Sequence, residues 1–95
     1  MYIWYNPKLE SNIELFPNPT DENSTTNMQL NHFDEQNVLV VVRDLLGKEL
    51  FSKVLNIKSK NELFPINQIG DLPKGAYLIS AFGNNKIHSK LLIIK

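Results

Sequence analysis

The feature that most constrains this chain is the run Val38-Leu39-Val40-Val41-Val42, followed at once by "RDLLGKEL" and a further apolar stretch ending at Leu55. Five consecutive apolar residues predict a central strand covered on both faces. Asp44 can cap a turn with its carboxylate, and Gly47 supplies a position that tolerates positive φ. A type I turn over Leu45-Leu46, with Gly47 completing a bulge, therefore joins Val38–Arg43 to Lys48–Leu55 as a hairpin.

The remainder repeats the same grammar of short strands and turns, and no amphipathic helix period runs through any part of it. Residues 1–12 read as a lead-in, either linker or an added edge strand, in which Tyr2, Trp4 and Tyr5 precede the break at Asn6-Pro7. The folded part spans 13–95. Its first strand, Ile13–Phe16, ends at Pro17-Asn18-Pro19, where two backbone donors are missing and the preceding residues are pushed into extended conformation. Ser24–Leu30 alternates, with Thr26, Met28 and Leu30 on one side. Glu62–Ile66 is a weak strand that Pro65 confines to an edge or an end. "GAYLISAF" and "KIHSKLLIIK" form a closing hairpin through Gly83-Asn84-Asn85, with inward stripes of Tyr77, Ile79 and Ala81 on one arm and Ile87, Leu91 and Ile93 on the other. About seven strands in one domain predict an all-β fold, an immunoglobulin-like antiparallel sandwich without the cysteine and tryptophan markers of antibody domains.

Composition narrows the function more by exclusion than by assertion. The 42% apolar and 21% charged residues suit a globular protein. No apolar run approaches the roughly 20 residues of a membrane-spanning helix. Zero cysteines remove disulfides, thiolate zinc sites and cysteine nucleophiles together. The start "MYIWYNPKLESN" has no basic region, apolar core or small-residue cleavage site, so it is not a signal peptide, and the chain reads as a fragment of a longer precursor. The net charge of zero hides six acids against one base, Lys8, in residues 1–42, and four lysines with no acid from Leu72 onward. Those lysines are too sparse for a nucleic-acid footprint.

Chemistry is thin. His32 and His88 lack further ligands at metal-binding spacing, so no metal site is expected. Asp21-Glu22 and Asp34-Glu35 read as loop-solubilising pairs, not as a calcium loop. No nucleophile elbow and no glycine-rich phosphate loop is present, so neither an enzyme nor a cofactor is expected. A carbohydrate-binding or adhesive sandwich is the alternative reading, with Trp4 or Tyr5 as the sugar-stacking aromatic.

Four stretches stand out together: "LFPNPT" at 15–20, "VRDLLGKEL" at 42–50, "LPKGAYLISA" at 72–81 and the terminal "KIHSKLLIIK". Taken in order they resemble the type A C-terminal sorting domain of the type IX (Por) secretion system. The resemblance implies a carboxy-terminal address on an upstream passenger, recognised in the periplasm by the type IX machinery and carried across the outer membrane to the cell surface or the medium. It also implies removal by a sortase-like cysteine protease. The sorting-motif residues are then Pro17, Asn18, Pro19, Asp44, Gly47, Lys48, Pro73, Gly75, Tyr77, Lys86, Lys90 and Lys95. Pro17 to Pro19 and the Asp44–Lys48 turn are expected to shape the fold. Tyr77 is expected to bury its ring and hydrogen-bond its hydroxyl. The terminal strand and its lysines, read as having no offsetting acid, are expected to be recognised directly.

Overall fold

Thr26, Met28 and Leu30 are all fully buried while the residues between them are partly exposed, the period of two that a one-sided strand requires. The same rule organises the whole molecule. The computed structural model describes residues 11–33, 37–58, 61–66, 72–83 and 85–95. They form seven strands: β1 (Asn12–Phe16), β2 (Asn27–Asn31), β3 (Asn37–Asp44), β4 (Glu49–Asn56), β5 (Asn61–Pro65), β6 (Gly75–Gly83) and β7 (Lys86–Ile94). Two antiparallel sheets result, ordered β1-β2-β5 and β4-β3-β6-β7, and they pack as an all-β sandwich. Ile13, Met28 and Leu30 from the smaller sheet meet Val38, Val40, Val42, Ile79, Ala81 and Leu92 from the larger. Phe33, Ile57, Ile66 and Leu72 close the ends of this core.

The expected hairpin is present. Asp44 Oδ1 accepts from the Leu46 and Lys48 amides at 2.9 and 3.0 Å, and the Gly47 amide donates to the Asp44 carbonyl at 3.1 Å. Gly47 has φ +89°, and the register slips by a bulge between Val42 and Arg43. Pro65 is the last residue of β5, an edge strand, where its missing donor is harmless. The lead-in aromatics Tyr2, Trp4 and Tyr5, the pair Asp34-Glu35 and the turn residue Asn84 lie outside the described residues.

Two expectations need correction. β3 is central in its sheet, with Val38, Val40 and Val42 pointing into the core, but its outer face is covered only in part: Val41 is buried there, while Leu39 is open. The inward stripe of β7 is also the opposite one. Leu92 and Ile94 are buried, whereas Ile87 and Leu91 face outward. Pairing enforces this, since Leu92 lies opposite the inward Tyr77 and Leu91 opposite the outward Leu78.

Candidate recognition site

The four motif stretches lie far apart in sequence, yet the sheet brings parts of all four to one pole of the sandwich. Asp44 pairs with Tyr77, Tyr77 with Leu92, and Gly75 with Ile94. β3 and β7 run parallel to each other on either side of β6, so the turn that ends β3 and the last residues of β7 emerge at the same end.

Pro17 and Pro19 stop β1, leaving Asn18 projecting between them beside the free edge of β7; both peptide bonds into these prolines are cis. The Asn18 side-chain amide donates to the Leu91 carbonyl at 2.6 Å, and its Oδ1 accepts from the Ile93 amide at 3.0 Å. One side chain thus satisfies two backbone groups of an edge strand that would otherwise face water. Thr20 continues the contact as backbone in a parallel bridge to Ile94. Its amide donates to the Ile93 carbonyl at 2.9 Å, and its carbonyl accepts from the Lys95 amide at 2.8 Å. The Glu22 amide then donates to the Lys95 carbonyl at 3.1 Å. The terminal segment is therefore held on both sides, by β6 and by residues 18–22, and the Lys95 side chain stays exposed.

The third motif locks into the same pole. Tyr77 is buried, and its hydroxyl donates to the Pro73 carbonyl four residues upstream, the tyrosine corner of immunoglobulin-like sandwiches. Burial, with a smaller contribution from the Glu22 carboxylate, raises the phenol above its ordinary range. Glu22 also accepts a hydrogen bond from the Lys74 amide at 3.2 Å. In the sequence Glu22 is a solvated loop acid by expectation, and Thr20 has no role of its own. Both are stitches between motifs, and no spacing rule in the sequence announces contacts across some fifty to seventy-five residues.

Of the residues singled out in the sequence, Pro17, Asn18, Pro19, Asp44, Gly47, Lys48, Pro73, Gly75, Tyr77 and Lys95 belong to this pole. Lys90 sits beside it, lining a cleft between β1 and β7 with Glu14, Leu15, Phe16 and Asn18. Lys86 pairs with Gly83 at the far end of β7. Nine residues of strand, at about 3.3 Å each, put Lys86 and Lys95 roughly 30 Å apart, so the three lysines are not one patch. At that far end Ser11 Oγ sits 2.8 Å from His88 Nε2, and Phe33 packs edge-on against the same imidazole. This contact anchors Ser11 to β7, a role that nothing in the sequence predicts for His88.

Residues 14–95 match the family described as the secretion system C-terminal sorting domain. The chain belongs to that family. As a member of it, this sorting domain carries the type IX secretion signal itself. It is also 32% identical over 91 residues to an endo-acting ulvan lyase of Formosa agariphila, a match covering 93% of this chain and 16% of the lyase. The sorting domain thus spans about a sixth of the length of that relative.

Proposed function

We propose that the pole built by the four motifs is the surface by which this sorting domain is read during export, with the clamped terminal segment at its centre. The observation that supports this is the clamp. Asn18, Thr20 and Glu22 take up the outward backbone groups of Leu91, Ile93 and Lys95, so that the edge is closed to an added strand along this segment. Recognition then falls to the side chains that remain exposed, Leu91 and Lys95. In this reading the domain is an address and not a catalyst. It meets the type IX machinery on the periplasmic side of the outer membrane, leads a passenger joined upstream of Ser11 outward, and is cut from it by a sortase-like cysteine protease acting before the fold begins. The ulvan lyase suggests a passenger much longer than the domain.

The test is a reporter with a Sec signal, fused ahead of the domain in a host that has the type IX system. The intact domain delivers the reporter outside the cell, and removal of Leu91–Lys95 leaves it in the periplasm. That deletion also strips Leu92 and Ile94 from the core, so the decisive variant changes charge alone, Lys90→Gln with Lys95→Gln. Both positions are exposed, and the melt should barely move. Export of the folded double variant at the parent level would show that the lysines are not read.

A further inference from the structure

The hairpin tip joining β3 and β4 does something unusual for a turn: it holds two leucines out in water. Leu45 is 66% exposed and Leu46 95% exposed. Turn positions of this kind favour Gly, Asn, Asp and Ser, whose side chains suit both the backbone and the solvent. The tip is well braced, since Asp44 alone takes part in hydrogen bonds with Leu46, Gly47 and Lys48 through its carboxylate, carbonyl and amide. A braced apolar tip loses little conformational freedom on docking.

Its position narrows the partner. The tip lies at the clamped pole, separated from β7 by β6, two strand spacings or roughly 10 Å. On the outer face beside it, Leu78 and its cross-strand neighbour Leu91 are partly exposed, as is Leu50 at the start of β4. Leu78 and Leu91 thus share a face of the sheet with Leu50, with Arg43, the cross-strand partner of Leu78, between them and the tip. Ser11, the first described residue, meets His88 at the opposite pole. Charge around the tip is balanced, Asp44 and Glu49 against Arg43 and Lys48, which gives an anionic membrane surface nothing to attract.

We infer that Leu45 and Leu46 are a docking knob for an apolar cleft on the same export-apparatus protein that takes the terminal segment, an inference that rests on the reading of the pole given above. The test replaces both leucines in the reporter fusion, Leu45→Ser with Leu46→Ser, alongside a control that removes exposed apolar residues elsewhere, Val54→Ser with Ile87→Ser. All versions should melt together. Two leucines leaving an apolar cleft predict a fall in export of at least about tenfold for the tip variant. The control should export at the parent level. A photoreactive benzoylphenylalanine placed at Leu46 should yield an adduct of the same mass as one placed at Leu91. Tip-variant export equal to the parent, an equal fall in the control, or adducts to two different proteins would each overturn the inference while leaving the sorting role intact. Binding of the parent, but not the tip variant, to phosphatidylethanolamine–phosphatidylglycerol vesicles would overturn it in favour of a lipid anchor. Failure of the parent fusion itself to leave the periplasm would instead refute the underlying reading, and the inference with it.

Discussion

Asn18→Ala isolates the clamp. It deletes the two hydrogen bonds to β7 and leaves the flanking prolines, the Thr20 bridge and the core untouched. A net intramolecular hydrogen bond contributes about 0.5–1.5 kcal/mol, and Asn18 is exposed, so water can replace it at both partners. The lower half of the range applies, giving a loss of about 1–2 kcal/mol for the pair. For a domain of this size each kcal/mol is worth roughly 4–8 °C in Tm. Urea melts should show the midpoint moving at constant slope, because the surface exposed on unfolding is unchanged. Hydrogen exchange gives the sharper reading: the Ile93 amide, which donates to Asn18 Oδ1, should lose protection by more than the global change, while amides bonded between β3 and β6 follow the global change alone. Asn18→Asp keeps the acceptor and loses the donor, so it should protect Ile93 yet still destabilise, with a carboxylate now facing the Leu91 carbonyl. A variant Asn18→Ala that melts with the parent and keeps Ile93 protected would refute the claim that this side chain secures the strand.

Gly47→Val should cost about 1–3 kcal/mol by denaturant melt: no atom lies within 4 Å of the added carbon, but φ +89° is strained for a β-branched residue. Leu92→Ala should cost about 2–5 kcal/mol and Leu91→Ala far less, since Leu92 is fully buried and Leu91 48% exposed; equal costs would mean that β7 sits in the other register. Because the Tyr77 phenol titrates higher in the fold than its unfolded value near 10, the native state holds the proton more tightly. This contribution is complete below pH 10 and is lost as pH rises through the folded value. Tyr77→Phe should therefore cost about 0.5–1.5 kcal/mol at neutral pH, for the bond to Pro73, and show a shallower alkaline decline than the parent in melts taken above pH 10.

What could be read from the sequence depended on how one-sided each strand is. Thr26, Met28 and Leu30 in β2 and Tyr77, Ile79 and Ala81 in β6 were legible because burial of one face forces a period of two. β7 misled because both of its parities carry aliphatics. Its inward parity also includes His88 and Lys90, which an edge strand tolerates at the rim of the sandwich and a central strand would not. The five-residue apolar run of β3 overstated its cover because an apolar residue does not have to be buried: Leu39 stands open on the outer face while Val41 is hidden there. The Asp44–Gly47 turn was fully legible since its chemistry is local. The pole was legible only as pieces. Asn18 and Leu91 are 73 residues apart, and nothing in either stretch names the other.

β7 follows every strand it pairs with in the order of synthesis, and the side chain that fastens its edge was made 73 to 75 residues earlier. A polypeptide broken off between Gly83 and Leu91 keeps Asn18, the hairpin tip and the tyrosine corner, but has nothing for Asn18 to fasten. Ribosomal stalling, a frameshift or proteolytic trimming would all leave the pole open. The clamp is thus the last part of the described fold that synthesis makes possible, waiting from Asn18 until Leu91 and Ile93 exist.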